Sequence, residues 1–151
     1  SYSDEMSEKM GEIIWALNEK NDTIADLVAY TRSYTSEYLL QHQIKCEAHT
    51  PLHLPGTFIP GEMRRNIFLS VKECLHNIVK HAQANQVTIT IKINHSLCIN
   101  IVDDGIGFDL AKTRPYSNGL ANIKKRMTDM GGIIEIENNN GTTIRLKAPL
   151  S

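Results

Sequence analysis

The spacing of apolar residues along the chain predicts four amphipathic helices. The first covers about residues 4–17, where Met and Ile recur three and four positions apart. A second follows a break at residues 21–23, which supplies an N-cap, and extends to about residue 41. The longest occupies residues 61–82 and has no interior Gly or Pro. A shorter helix is predicted over residues 119–130, because two glycines follow it as a C-terminal cap.

Alternating apolar and polar residues predict five strands. Residues 43–47 read QIKCE, which places an Ile and a Cys on one face. Residues 86–94 and 97–101 alternate on both sides of a short turn, as an antiparallel hairpin does. Residues 133–137 and 142–147 flank an Asn-Gly turn, which predicts a second hairpin.

The order of these elements predicts the fold class. It reads helix, helix, strand, helix, strand, strand, helix, strand, strand, with a proline-rich loop over residues 50–61. We therefore expect an α+β sandwich of two layers, in which helices pack on one face of a mixed β-sheet.

Composition narrows the function classes. The 151 residues suit one compact domain, and no apolar run approaches the length of a membrane span. The three cysteines form neither a CxxC pair nor a disulfide framework, so a reducing, cytoplasmic compartment is expected. Residues 1–58 hold four Lys/Arg and nine Asp/Glu, whereas residues 59–151 hold twelve and eight. This excess is too small for a nucleic-acid surface but suits an anionic ligand.

The longest predicted helix carries a line of polar residues near its end. Glu73, Asn77 and Lys80 are four and three positions apart, so they lie in one row, and His81 follows. A carboxylate, an amide oxygen and an ammonium group suit a Mg²⁺-phosphate ligand. Spacing alone leaves a second interpretation open, in which these side chains form a solvated helix face.

A second candidate site begins where a strand ends in DDGIGF, residues 103–108. Two glycines one residue apart allow the backbone to approach a flat ligand, and the carboxylate of Asp103 can accept a hydrogen bond from an exocyclic amine. A structural turn remains the alternative. Neither a P-loop nor a dinucleotide-binding fingerprint is present.

Two further glycine segments follow. Gly119 is predicted to open the last helix, and the unpaired N–H groups at a helix N-terminus bind phosphates readily. Residues 141–143 read GTT at the start of the final strand. Either segment could serve only as a cap or a turn exit.

Together the four segments resemble the N, G1, G2 and G3 boxes of the Bergerat ATP-binding fold of gyrase, heat-shock chaperone, histidine kinase and mismatch-repair ATPases. Residues 73–82 (N box) read ECLHNIVKHA and match E-x-x-x-N-x-x-K-H-A, and residues 103–108 (G1 box) match D-x-G-x-G-F. Residues 119–126 (G2 box) match G-L-x-x-I-x-x-R, and residues 141–149 (G3 box) contain the terminal G-T and Pro. Over residues 37–149 the chain is most similar to the catalytic domain of two-component sensor histidine kinases of the nitrate-sensor-like, short-lid branch.

The resemblance implies ATP and Mg²⁺ as ligands. Asn77 would bind the metal and Glu73 would hold metal-bound water, and with Lys80 they would form the catalytic group. The phosphate contacts that it implies are Lys80, His81, Gly119 and Leu120. On the adenine side, Asp103 would accept the amine. The other adenine contacts that it implies are Gly105, Ile106, Gly107 and Thr143.

The resemblance also implies that residues 1–22 are the remnant of a dimerisation helix and its linker, and that residues 23–151 are the ATP-binding catalytic domain. None of the six histidines lies in an L-H-D-like acceptor pattern. The phosphoacceptor histidine is therefore expected on a dimerisation domain outside this sequence, in a homodimeric parent kinase that serves a response regulator. No contact with nucleic acid or a membrane is expected.

Two alternatives remain at this point. An ATP hydrolase of the same fold would use Glu73 as the general base that activates water. A degenerate, non-catalytic interaction module would retain the fold without the chemistry.

Overall fold

The computed structural model describes residues 22–107, 114–138 and 140–150, and the helix predicted over residues 4–17 lies outside them. The predicted order of elements is confirmed within the described ranges. In chain order the elements are α1 (Ile24–Gln41), β1 (Lys45–His49), α2 (Gly61–Asn77), a π-helical turn (Ile78–Ala82), β2 (Gln86–Ile93), β3 (Ser96–Asp103), α3 (Arg114–Asp129), β4 (Ile133–Asn138) and β5 (Thr142–Pro149). None of the helices in the described ranges is both long enough and apolar enough to cross a membrane.

The five strands form one mixed sheet in the order β1-β2-β3-β5-β4. β1 runs parallel to β2, and every other neighbouring pair is antiparallel. Both predicted hairpins are present. In the central pairing of β3 with β5, Asp103 lies opposite Thr142, so the G1 and G3 boxes begin at the same end of the sheet.

The sheet has one buried face, as the two-residue alternation predicts. Its buried side chains alternate with more exposed ones along the three central strands, and helix residues complete the core from the same side. The largest members of this core include Phe68, Leu75 and Ile78 from the α2 region and Ile89, Leu97 and Ile101 from the sheet. The predicted α+β class, with helices on one face of a mixed sheet, is confirmed.

A capping box fixes the start of α1. The backbone N–H of Asp26 donates to Thr23 Oγ1 at 3.1 Å, and the N–H of Thr23 donates back to the Asp26 carboxylate at 3.4 Å. The N-cap predicted at residues 21–23 is therefore confirmed at Thr23.

The start of α3 differs from the prediction. The helix begins at Arg114, so Gly119 lies in its second turn and does not open it. Residues 114–118 contain a proline and no apolar repeat, but proline is tolerated in a first helical turn because the N–H that it lacks has no partner there. Only the first four N–H groups of a helix are unpaired. Gly119 therefore does not offer the helix-terminal N–H on which the prediction relied.

The C-terminal end of the helix predicted over residues 61–82 is not α-helical. The predicted helix of residues 61–82 is continuous, but its last five residues, Ile78–Ala82, are π-helical. Gln83 ends this turn in the left-handed conformation, with φ of 52°. Single π-helical turns inside α-helices are frequent at functional sites, and this one contains Lys80 and His81.

Candidate functional site

The polar row of the N box lies where the structure brings three elements together. Glu73 is half-buried, Asn77 is only 4% exposed, and Lys80 is exposed on the π-helical turn. The amide nitrogen of Asn77 is buried and has no hydrogen-bond partner among the residues that the structure describes. A buried amide without a partner costs free energy, so its environment is incomplete without a ligand or water.

Gly119 of α3 packs against this row. A methyl group added at Gly119 would overlap with Glu73 Oε1 and would lie 3.2 Å from Asn77 Nδ2. Because glycine has no side chain, the backbone of α3 approaches both side chains without displacing them. The structure thus joins the N and G2 boxes, although Gly119 is not at the helix terminus.

Asp103 forms the base of the G1 box. Its side chain is 3% exposed, and its Oδ1 accepts the backbone N–H of Gly105 at 2.9 Å. Burial raises the pKa of the Asp103 carboxyl, while hydrogen bonds from the backbone N–H groups of Gly105 and Thr142 oppose the rise. The second oxygen, Oδ2, is buried and accepts no hydrogen bond from any residue in the described ranges. This carboxyl therefore has one acceptor atom free for a donor.

The G1 loop rests on the last residue of the π-helical turn. The N–H of Ile106 donates to the carbonyl of Ala82 at 2.9 Å. A methyl group at Gly105 would overlap with the same carbonyl, so the loop could not reach the helix with a larger residue there. One stretch of helix thus contacts α3 at Asn77 and the G1 loop at Ala82.

Asp104 ties this loop to the sheet. Its Oδ1 accepts the backbone N–H groups of Asn85 at 2.8 Å and Gln86 at 3.0 Å. These two bonds hold the pKa of the exposed Asp104 carboxyl below its usual value. Adjacent aspartates therefore have opposite roles: Asp104 shapes the loop, and Asp103 keeps a free oxygen.

The structure gathers most, but not all, of the predicted residues. Gly107 lies beside the G3 box, where a methyl group added to it would stand 3.5 Å from the carbonyl oxygen of Gly141, whereas Ile106 is 68% exposed. His81 is half-buried on the π-helical turn, and Leu120 is half-buried against the hydrophobic core.

Thr143 is not brought to Asp103. It pairs with Val102, which is exposed on the outer face of the sheet, so its side chain points away from the helices. Thr142 lies opposite Asp103 instead, is 2% exposed, and donates its hydroxyl to Asn138 Oδ1 at 3.2 Å. The sequence contained the signal for this: Thr142 shares the parity of Ile144, Leu146 and Ala148, which line the core.

Two residues of this region make contacts that the sequence does not predict. Asp104 is part of the G1 box, but its bonds to Asn85 and Gln86 depend on the position of a neighbouring strand. His76 lies inside the N box, and its Nε2 forms a hydrogen bond of 3.0 Å with the hydroxyl of Tyr34 on α1. Neither contact follows from spacing along the chain.

Comparison with known proteins agrees with this geometry. Residues 63–151, more than half of the chain, match the family described as histidine kinase-, DNA gyrase B-, and HSP90-like ATPase. The chain belongs to this family. The resemblance predicted from the four boxes is thereby confirmed, and the fold is that of the ATP-binding catalytic domains of histidine kinases.

Two relatives in this ATPase family are sensor kinases of Bacillus subtilis (strain 168). The sensor histidine kinase LiaS is 32% identical over 100 residues, which cover 64% of this chain and 28% of LiaS. The sensor histidine kinase ComP is 30% identical over 146 residues, which cover 91% of this chain and 19% of ComP. The chain thus spans less than a third of either relative.

A solved structure shows the same fold. The blue-light activated histidine kinase EL346 of Erythrobacter litoralis superposes with a TM-score of 0.74 at 19% sequence identity, over 99% of this chain and 50% of that chain.

Proposed function

We propose that this domain binds Mg²⁺-ATP between the N box, α3 and the G1 and G3 boxes, and transfers the γ-phosphoryl group to a histidine of a dimerisation domain. One observation carries the proposal. The helical stretch from Glu73 to Ala82 contacts the G2 box at Gly119 and the G1 loop at Gly105. Within the described part of the chain, Asn77 and Asp103 each keep one buried polar atom without a partner.

Asp103 would bind the adenine end. Its Oδ1 is engaged by the N–H of Gly105, and Oδ2 remains available to accept the exocyclic amine. A buried acceptor discriminates strongly, because a base without the amine would leave it unpaired. Gly105, Ile106 and Gly107 would bound the ring, and Thr142 lies beside the same carboxyl.

Asn77 and Glu73 would hold the metal end. They supply an amide oxygen and a carboxylate on successive turns, and Mg²⁺ needs only one or two protein oxygens beside water and phosphate. Rotation of the Asn77 amide exchanges its nitrogen and oxygen, so the partnerless position can present an oxygen. The donor set therefore fits Mg²⁺, which would neutralise phosphate charge when bound. Lys80 and His81 would face the phosphates, while Gly119 and Leu120 would line the α3 side of the same cleft.

Transfer of the γ-phosphoryl group needs little covalent chemistry from the protein. An imidazole nitrogen of the acceptor would attack the γ-phosphorus, the bond to the bridging oxygen would break, and ADP would leave. Residues of this domain would act by holding ATP in line and by balancing its charge. The acceptor domain, a receiver domain of a response regulator and a homodimeric parent kinase are the partners that we propose.

Calorimetric titration with a non-hydrolysable ATP analogue, with and without Mg²⁺, tests the proposal. We expect Mg²⁺-dependent binding by the unmodified chain and its loss in Asn77→Ala. Asn66→Ala, on the first half of the same helix, is the matched control and should bind normally. Unchanged binding by Asn77→Ala would contradict the metal site. Incubation with labelled ATP and a dimerisation domain then tests phosphoryl transfer.

A further inference from the structure

An aromatic cluster joins α1 to the helix that carries the N box. Tyr30, Tyr34 and Tyr38 are spaced by four on α1, so they lie on one face of it. The rings of Tyr30 and Tyr34 pack edge-on against Phe68 of α2, with centroids 5.0 and 5.2 Å away. One to two turns further along, the same face of α1 meets His76.

His76 makes two directed contacts with this face. Its ring stacks on Tyr38, with centroids 4.5 Å apart and planes 2° apart. Its Nε2 forms the 3.0 Å hydrogen bond with the Tyr34 hydroxyl. A stacked ring that is also hydrogen-bonded is fixed both in position and in rotation, which apolar packing alone would not achieve.

His76 directly precedes Asn77 in the chain. Successive residues of an α-helix point about 100° apart, so the two side chains leave α2 on different sides. His76 faces α1, Asn77 faces Gly119 of α3, and the neighbouring Cys74 and Leu75 face the core. The helix is therefore held from three directions at the residues around Asn77.

The regular α-helix ends at this point. α2 closes at Asn77, and the N–H of Ile78 approaches the carbonyls of both Cys74 and Leu75 before the π-helical turn begins. The hydrogen-bond repeat changes from four to five residues at this point, and such changes are frequent at functional sites. The contacts of His76 with α1 lie two residues before the change.

We infer that Tyr34 and His76 form a positioning pair, which sets the rotation of the last α-helical turn and so aims the Asn77 amide at the Mg²⁺-nucleotide. This inference rests on the proposed function. It assigns no contact with the nucleotide to either residue, and it makes α1 a determinant of the geometry of the metal site.

Tyr34→Phe tests the pair, because it removes the hydroxyl and keeps the ring. We expect the Kd for the ATP analogue to rise about fivefold in Mg²⁺, because an Asn77 amide that is no longer aimed at the metal must be reoriented on binding, and to stay unchanged in EDTA. Tyr30→Phe makes the same change one turn earlier on α1, against Phe68, and should leave both values unchanged. A merely structural role would lower the melting temperature without changing the ratio of the two Kd values.

A double-mutant cycle supplies the second readout. His76→Phe retains a ring for stacking on Tyr38 but removes the bond to Tyr34, so it should repeat the Tyr34→Phe effect. The double variant should be no worse than either single variant. Additive losses, or an unchanged Mg²⁺ dependence in both single variants, would overturn the positioning role. Absence of Mg²⁺-dependent binding in the unmodified chain would instead overturn the proposed function, so the two failures are distinguishable.

Discussion

Gly119 of α3 lies so close to the carboxylate of Glu73 that a methyl group added at Gly119 would displace it. The same glycine approaches the amide of Asn77 on the next turn of α2. Two helices that are distant in sequence therefore meet at two side chains of the proposed metal site. The position of α3 and the positions of the Glu73 and Asn77 side chains therefore depend on the same contact.

We therefore expect Gly119→Ala to weaken Mg²⁺-nucleotide binding about tenfold. The added methyl group would displace the Glu73 carboxylate and separate α3 from Asn77. The stability of the fold should change little, because Ala in a helix interior is better than Gly by about 1 kcal/mol and this offsets the strain. Calorimetry and thermal unfolding measure the two effects.

Ala121→Gly is the matched control for this prediction. Ala121 is exposed on the same helix two residues later. The substitution should lower the free energy of unfolding by about 1 kcal/mol and leave the nucleotide Kd unchanged. If Gly119→Ala binds like the unmodified chain, the contact with Glu73 has no role in the site.

Asp103→Asn should separate binding from stability. The pKa of the buried Asp103 carboxyl is raised, so ionising it in the folded state costs free energy, and this cost grows as the pH rises through the raised pKa. The variant removes the charge and keeps an oxygen for Gly105 and Thr142. At about pH 7 its melting temperature should therefore be a few degrees higher than that of the unmodified chain. Below about pH 4 the two melting temperatures should converge, because Asp103 is then protonated in the unmodified chain as well.

The same variant should lose at least about tenfold in nucleotide affinity, because its amide offers the adenine amine a second donor where an acceptor is needed. Thermal unfolding at the two pH values and calorimetry at neutral pH measure both effects. Normal affinity in Asp103→Asn would show that the adenine amine binds elsewhere.

Periodicity predicted the elements because burial on one face determines them. Apolar residues recur at helical spacing from Ile67 to Ile78 and at every second position at Val87, Ile89 and Ile91. Each pattern defines one apolar face, and in the structure these residues are buried in the core. The start of α3 at Arg114 was missed because residues 114–118 contain a proline and no apolar repeat. The π-helical turn has no signature, since Ile78 and Ala82 are also compatible with regular helix.

The sequence predicts the residues of the candidate site that belong to the four motifs, but not the contacts that other residues make around them. Glu73, Asn77 and Asp103 were identified from spacing and resemblance, and the structure brings their elements together. Contacts between elements, such as Tyr34 with His76, depend on how two helices pack, which a single sequence does not record. The burial of Thr142, and not Thr143, beside Asp103 follows from strand parity, which the neighbouring core residues define.

Asp104 should affect stability with the opposite dependence on pH. Hydrogen bonds from Gln86 and Asn85 lower its pKa, so its contribution is present above its usual value of 3.8 and is lost as the pH falls through the lowered pKa. We expect Asp104→Ala to reduce the free energy of unfolding by about 1 kcal/mol at neutral pH, and by less in acid. Chemical denaturation at the two pH values measures the difference.

Asp104→Asn serves as the control, because its carbonyl oxygen can still accept both N–H groups. It should retain most of the stability at neutral pH and show no titration of this site. If Asp104→Ala loses more free energy of unfolding in acid than at neutral pH, the pKa of Asp104 is not lowered in the folded state.

Thr142→Val and Thr143→Val form a matched pair on neighbouring residues of β5. Thr142 is buried beside Asp103, and its hydroxyl donates to Asn138, whereas Thr143 lies on the outer face opposite Val102. Replacing Thr142 should cost about 1 kcal/mol of stability through the lost bond, and about fivefold in nucleotide affinity through the disturbed surroundings of Asp103. Thr143→Val should leave both unchanged within about 0.5 kcal/mol, because Val suits an outer strand position. Parallel calorimetry and thermal unfolding of the two variants give the comparison. A larger affinity loss in Thr143→Val than in Thr142→Val would mean that the adenine binds against the outer face of β5, which would contradict the pocket built on Asp103.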